Sequence, residues 1–266
     1  HQFLIFNKMG AIKNAIKSFD GADEAKKELE VQLDNMTALA TAKADYFELV
    51  LKEDLANAGQ GSSKDIPVSF IIDYTRQTHA YASSSADAIA TTITEGISDF
   101  IKGGNDNVMK GVGSLMTKAV QLLFASKEGN EDVSHFKSVF AEGRALVRLD
   151  LKAWKRFTNV KSLSESAEQI SAFVMCKSTI NAETLDYNTF IQLYQNNLYE
   201  KATGFTPDEI SKQLDEIDEI YKKFKDHQKS QESVKRTQTL QEPSKNELNK
   251  AMEKINNAEK ALGWAQ

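Results

Sequence analysis

Residues 165–194 organise our interpretation of the chain, and the centre of this segment reads Gln169-Ile170-Ser171-Ala172-Phe173-Val174-Met175-Cys176-Lys177-Ser178-Thr179-Ile180. It contains the single cysteine of the protein, Cys176. A cysteine in so apolar a run is expected to be buried, because the un-ionised thiol behaves as a small hydrophobe. Two hypotheses follow: Cys176 is an ordinary core residue, or its thiol faces a core cavity and carries a thioester-linked acyl chain.

Length and composition are those of an ordinary globular protein. The 266 residues are 41% hydrophobic and 27% charged, which is enough for one substantial core. The net charge of -5 arises from interspersed basic and acidic residues, and this argues against nucleic-acid binding. A single cysteine excludes an internal disulfide, and no apolar run approaches the ~20 residues of a membrane-spanning helix.

Helical periodicity dominates the first half of the chain, where few prolines or glycines interrupt it. Apolar spacings of three and four predict a basic amphipathic helix over residues 3–19 and one long helix over residues 23–58. The first of these is compatible with docking on the core or with lying on an anionic membrane.

A helical hairpin is predicted over residues 86–124. Residues 86–101 and 108–124 carry apolar stripes on either side of a turn rich in glycine and asparagine, so we expect antiparallel neighbours. Small residues such as Gly96 would allow close backbone approach, as in membrane-active hairpins. Charged residues on both helices favour packing in a globular core instead.

A strand is predicted where the period changes to two, in Val147-Arg148-Leu149-Asp150-Leu151-Lys152-Ala153-Trp154. The alternation is typical of a half-buried strand, and residues 136–140 would pair with it through a turn at residues 142–144. Residues 67–74 are either a short strand or the first turns of a helix. We therefore expect an α+β fold that is predominantly helical, with helices packed around a small antiparallel sheet and a C-terminal helical extension.

Start signals define the last third of the chain. The sequence Thr206-Pro207-Asp208-Glu209 begins one predicted helix, and Pro243-Ser244 begins another that ends at Gly263. The polar residues 227–242 are a linker or a frayed helix. We predict a single helix-rich globular domain over residues 1–225, followed by a polar linker and a C-terminal amphipathic helix over residues 226–266. This last helix would pack on the helix from Asp208 or on another chain.

Catalytic and metal-binding motifs are absent from the sequence. None of the four histidines has a metal-ligand spacing with a second one. A nucleophilic Cys176 served by His79 or His135 would need a general base and an oxyanion hole, and Cys176 does not lie at an exposed helix start, where its pKa would fall. We expect a protein that is not an enzyme and that binds neither metal nor nucleic acid.

Three segments together resemble the layout of the Evf family of virulence factors. They are the strand of residues 148–154, the capped apolar segment with Cys176-Lys177-Ser178, and Phe190-Ile191-Gln192-Leu193-Tyr194. The resemblance covers roughly residues 82–224. It implies a buried cysteine that is S-palmitoylated, an acyl chain that fills a central cavity, and no established enzymatic activity. Cys176 is the matching position, and Phe173 and Ile180 are its expected cavity-lining neighbours.

The leading hypothesis is a non-enzymatic virulence or toxin-like factor that carries palmitic acid on Cys176 through a thioester. It would be secreted or host-directed and membrane-associated, with a membrane surface or a host protein as partner. One alternative is a pore-forming or membrane-active toxin that uses the hairpin of residues 86–124. Another is an intracellular scaffold that binds a partner through its C-terminal helices.

Overall fold

The computed structural model describes residues 23–60, 65–81, 86–101, 131–142, 145–157, 169–181, 184–191 and 240–264, with residues 120, 123, 215, 218–219, 221–223 and 225–226. Its main elements, in chain order, are α1 (Asp23–Asn57), β1 (Val68–Tyr81), α2 (Ala86–Ile101), β2 (Glu131–Glu142), β3 (Ala145–Phe157), β4 (Gln169–Ile180) and α3 (Lys245–Ala261). The predicted helix over residues 3–19, most of residues 108–124, the Thr206 capping box and most of the polar segment 227–242 lie outside the described residues. The predicted domain boundary at residue 225 stays a prediction.

The four strands form one antiparallel sheet in the order β1-β4-β3-β2. The strands β2 and β3 pair as the predicted hairpin, with Phe136 opposite Leu151, and they extend well beyond the predicted bounds. The first strand answers the open question about residues 67–74, since it begins at Val68 and continues to Tyr81. The cysteine segment is β4, a central strand flanked by β1 and β3.

The expectation of a predominantly helical chain was wrong. Among the described residues 53% are helical and 34% lie in strands, which is an α+β fold with a substantial sheet. The reason lies in β4, whose residues are almost all buried because both faces of the sheet are covered. A strand buried on both sides loses its alternating pattern and resembles a buried helix segment in sequence.

Each face of the sheet packs against helices. In β3 and β4, even-numbered and odd-numbered residues lie on opposite faces. Even-numbered residues such as Trp154 and Val174 face α1, and we call this the α1 face. Odd-numbered residues such as Leu151 and Phe173 pack with Ile93 of α2, on what we call the α2 face. The expectation that β3 is half-buried was therefore also wrong, because residues 146–155 are buried on both faces.

Helix α1 confirms the predicted long helix, and α3 confirms the predicted last one. The side chain of Ser244 accepts a hydrogen bond from the Glu247 backbone, and the Glu247 carboxylate accepts one from the Ser244 backbone, which completes a capping box. Helix α3 packs against α1, and its Ile255, with Leu262 just after the helix, joins the same apolar cluster as Cys176. This pairing with α1 differs from both partners expected from the sequence.

Two glycines mark close approaches between elements. Gly59 follows α1 with a positive φ of 73°, and a Cβ there would lie 2.6 Å from the Pro67 Cβ. A Cβ on Gly96 of α2 would lie 2.3 Å from the Gln77 side chain of β1. The close approach at Gly96 therefore joins a helix to a strand. Of the second half of the predicted hairpin, Val120 and Leu123 are helical and buried in the cluster of Ile93.

Candidate functional site

Cys176 lies at the centre of the sheet, on its α1 face. Its cross-strand neighbours are Tyr74 on β1 and Asp150 on β3. The residue is fully buried and its thiol is free, which confirms the expected burial. Leu51 and Leu55 of α1 belong to the same apolar cluster. The thiol is therefore enclosed between the central strands and the last turns of α1.

Cys176 and Tyr74 are both held in their neutral forms. Burial raises the pKa of the Cys176 thiol, and the negative charge of Asp150 raises it further. Burial likewise raises the pKa of Tyr74, with a contribution from Cys176. The Tyr74 hydroxyl interacts with the thiol without reaching the geometry of a full hydrogen bond. This pair therefore contributes no charge to the core at neutral pH.

Next to the thiol lies a buried ionic cluster centred on Asp150. Arg148 donates two hydrogen bonds to this carboxylate, from Nε to Oδ2 at 2.7 Å and from Nη2 to Oδ1 at 2.8 Å. His135 Nε2 lies 2.9 Å from Asp150 Oδ1. Arg148 Nη1 also donates to the Ile66 carbonyl at 2.8 Å, and Nη2 reaches Asp65 Oδ2 at 3.1 Å. The cluster thus connects β2, β3 and the segment that precedes β1.

The electrostatics of this cluster favour the ionised carboxylate. Burial alone would raise the pKa of Asp150, but the hydrogen bonds from His135 and Arg148 outweigh that effect and hold this pKa below its usual range. Burial would lower the pKa of Arg148, and its hydrogen bonds to Asp150 raise it instead. The ion pair is fully formed at neutral pH, and so the centre of the sheet is charged but internally compensated.

Helix α1 is joined to the sheet above the site by charged contacts. Lys152 Nζ lies 2.8 Å from Asp54 Oδ2, and Arg76 pairs with Asp45. A second ion pair joins the middle of α1 to β2, where Lys43 Nζ lies 2.7 Å from Glu131 Oε1. Access to Cys176 from the α1 side therefore requires these contacts and the apolar layer beneath them to separate.

The structure separates the histidines that the sequence offered as bases for Cys176. His79 pairs with Ser171 and lies on the α2 face, with its ring 6.2 Å from that of Phe173. His135 lies on the α1 face, but its hydrogen bond goes to Asp150, and Asp150 in turn is the neighbour of Cys176. A nucleophilic thiol needs the histidine next to it. Neither histidine has that position here.

The structure places the two expected cavity-lining residues in clusters other than that of Cys176. Phe173 lies on the α2 face, opposite Cys176. Ile180 belongs to a third cluster with Leu185 and Phe190, near the end of β4. The apolar residues that share a cluster with Cys176 include Val174 and the other even positions of β4, several residues of α1, Trp154 of β3 and Ile255 of α3. Strand parity explains the position of Phe173, because residues three apart in a strand point to opposite faces. Ile180 has the same parity as Cys176 but lies four residues further along β4, where it joins the third cluster.

The Asp150 cluster was not anticipated from the sequence. Its signal was present in Arg148, Asp150 and Lys152, which occupy every second position of β3. In a half-buried strand such a series forms the solvated face, whereas the structure buries these three side chains under α1. Within the described residues, no group of three or more histidine, cysteine, aspartate or glutamate side chains is placed to hold a metal ion.

The chain was compared with protein families, curated proteins and solved structures. No family model, curated protein or solved structure matches the chain. The functional argument therefore rests on the geometry of the site.

Proposed function

We propose that the protein is a non-enzymatic, toxin-like factor in which Cys176 carries a fatty acyl chain, palmitic acid being the expected one, through a thioester. The observation that carries the proposal is the position of the single thiol. It is fully buried at the centre of the sheet, neutral, and packed beneath the apolar side of α1. The virulence or host-directed role comes from the resemblance to Evf-type factors.

The chemistry of the site supports a thioester more than a reactive thiol. A thioester is uncharged, so that replacing the S–H group adds no buried charge beside Asp150. Exclusion of water by α1 would protect the thioester from hydrolysis. The chain would extend along the apolar residues of the α1 face, such as Leu51, Leu55 and Val174.

The energetic gain from such a chain is large. Burying about fifteen methylene or methyl groups at roughly 0.8 kcal/mol each stabilises by on the order of 10 kcal/mol before cavity and entropy costs. This rivals the net stability of a whole domain. An acylated protein should therefore depend strongly on its acyl chain for stability.

The buried state of the thiol also sets the order of events. Thiolate is the attacking species in acyl transfer to cysteine, and burial of Cys176 opposes its formation in the folded protein. Acylation would therefore occur before α1 packs on the sheet, or during an opening of α1. Acyl transfer to the completed fold would be slow.

Intact-mass spectrometry tests this proposal. Protein from a host able to acylate should show a hydroxylamine-labile excess near the mass of a palmitoyl group. Cys176→Ala should lose the excess and much of the stability, whereas Ser178→Ala, a change at another buried position on the same face of β4, should keep the excess. An unmodified parent mass with a Cys176→Ala variant as stable as the parent would overturn the proposal.

The two alternative functions gain no comparable support from the described residues. In α2, Ile93 and Ile97 are fully buried against the sheet. No helix within the described part of the chain is long and apolar enough to cross a membrane. The apolar side of α3 packs on α1, where Ala251 and Ile255 are buried.

A further inference from the structure

His135 is held by a buried carboxylate and is itself only partly buried. Its Nε2 atom lies 2.9 Å from Asp150 Oδ1. The Asp150 side chain is fully buried and is fixed by two hydrogen bonds from Arg148, whereas 22% of the His135 side chain is exposed. An imidazole that is oriented by a buried aspartate is an arrangement that catalytic histidines use. The proposed acylation of Cys176 makes no use of it.

The charge of Asp150 decides which ring nitrogen of His135 carries the proton. Hydrogen bonds from His135 and Arg148 hold the pKa of Asp150 below its usual range, so the ionised carboxylate can only accept hydrogen bonds. In neutral His135 the proton is therefore on Nε2, and Nδ1 keeps its lone pair. Nδ1 has no hydrogen-bond partner among the described residues, and it is not buried. The lone pair of Nδ1 is therefore open to solvent.

The surroundings of His135 on β2 are open and basic. On the same face of β2, Val133 precedes it and is 58% exposed, and Lys137 follows it with 35% of its side chain exposed. Lys152 lies opposite His135 in the register of β2 and β3. Cross-strand neighbours of this kind have Cβ atoms about 5 Å apart. A small molecule can therefore approach His135 from the side of Val133 and meet the two lysines there.

The ring and its neighbours favour a phosphoryl group as the reactant. Attack by Nδ1 leaves a positive charge on the imidazole, and Asp150 beside Nε2 compensates that charge. A bound phosphoryl group carries about two negative charges and three acceptor oxygens. Lys137 and Lys152 each pair with one aspartate, and a lysine ammonium has three donors, so each can also donate to a phosphoryl oxygen. An uncharged acyl group would gain nothing from these lysines.

We propose that His135 accepts a phosphoryl group on Nδ1 from a phosphoramidate donor. The Nδ1 lone pair forms a new N–P bond while the N–P bond of the donor breaks, and the donor nitrogen leaves as an amine with the protons it already carries. The phosphorylated ring keeps its Nε2 proton, which stays hydrogen-bonded to Asp150. This modification does not need an acyl chain on Cys176 and therefore goes beyond the proposed function.

Phosphoramidate itself is the probe, applied to the full chain in mildly alkaline solution. Peptide mapping measures how fast His135 gains a phosphoryl group, and phosphorus NMR shows which ring nitrogen carries it. His135 should react about tenfold faster than N-acetylhistidine, because the carboxylate behind the ring stabilises the charge that develops on it. Free histidine ends with the phosphoryl group on Nε2, whereas His135 should keep it on Nδ1, since Asp150 occupies its Nε2 side.

Two matched variants separate the local effect of a lysine from that of overall charge. Lys137→Gln should slow the labelling of His135 about threefold, because it removes one ammonium group beside the incoming phosphoryl group. Lys223→Gln removes an exposed lysine that pairs with Glu219 in another part of the chain, and it should leave the rate unchanged. The inference is overturned if His135 reacts no faster than N-acetylhistidine, if its phosphoryl group is on Nε2, or if the two lysine variants react alike.

Discussion

Arg148 and Asp150, two residues apart on β3, form a bidentate ion pair in which neither side chain is exposed to solvent. Removing one charge leaves the other buried without its partner, which typically costs 3–5 kcal/mol. We therefore expect Asp150→Leu to lower the free energy of unfolding by about 3–5 kcal/mol. Urea unfolding followed by circular dichroism measures this change.

The double variant Arg148→Met/Asp150→Leu should recover much of that loss, because it removes both charges together. An exposed pair supplies the control. Lys223 and Glu219 pair at 3.0 Å on the surface, and Lys223→Ala should change stability by less than about 0.5 kcal/mol. Equal effects of Asp150→Leu and Lys223→Ala would contradict the assigned role of the buried pair.

Acid should destabilise the protein through its depressed carboxyl pKa values. The folded-state pKa of Asp150 is held low by His135 and Arg148, and that of Asp65 by Lys137 and Arg148, in each case against the effect of burial. Such groups contribute stability that is complete above their unfolded pKa of about 3.9 and is lost as pH falls through the folded value. Stability should be nearly level from about pH 7 to 5 and should fall steeply below about pH 4.

Urea midpoints at three pH values test this expectation, with Asp150→Asn as the comparison. This variant has no carboxyl group at position 150 that acid could protonate. It should therefore be less stable than the parent at neutral pH and lose less stability as the pH falls. A parent as stable at pH 3 as at pH 7 would rule out the proposed linkage.

The Cys176 thiol should react slowly with a water-soluble disulfide reagent in the native protein. Its pKa is raised and α1 covers it, so the measured rate should report the opening of α1. Asp54→Ala removes the contact with Lys152 and should speed up labelling of the unmodified protein, whereas Glu53→Ala, one residue away on α1, should have little effect. Labelling of the native parent as fast as that of the urea-unfolded chain would show that the thiol is open to solvent.

Gly59→Ala should destabilise more than Gly263→Ala. Both glycines have positive φ angles, of 73° and 70°, and alanine in that region costs about 1–2 kcal/mol. At Gly59 the new methyl group would also meet Pro67, whereas nothing lies within 4 Å of the corresponding position at Gly263. Thermal unfolding of the two variants gives the difference, and equal losses would exclude a steric contribution from Pro67.

Strand β3 could be predicted because the alternation of apolar and polar residues is visible within the strand itself. The apolar periodicity of α1 and the residues of the Ser244 capping box are local signals as well. The burial of Arg148 and Asp150 could not be predicted, since their compensating partners come from Asp65 and His135, which are distant in sequence or lie on another strand. Strand β4 was obscured by apolar residues on both of its faces. Because both faces of β4 are buried, Phe173 and Cys176 stand in one continuous apolar run, although they lie on opposite faces of the sheet.

The strand order has a further consequence for how the chain reaches its native state. Strands β2 and β3 are neighbours in sequence, but β1 pairs with β4, and on the order of 100 residues of chain separate them. Such non-local pairing slows folding. At a synthesis rate of about 5–20 residues per second, β1 emerges from the ribosome several seconds before β4. During this interval Phe70 and Ile72 lie in a strand whose one neighbour among the described strands, β4, has not yet been made. This makes β1 the segment where a chaperone would bind or where aggregation would begin.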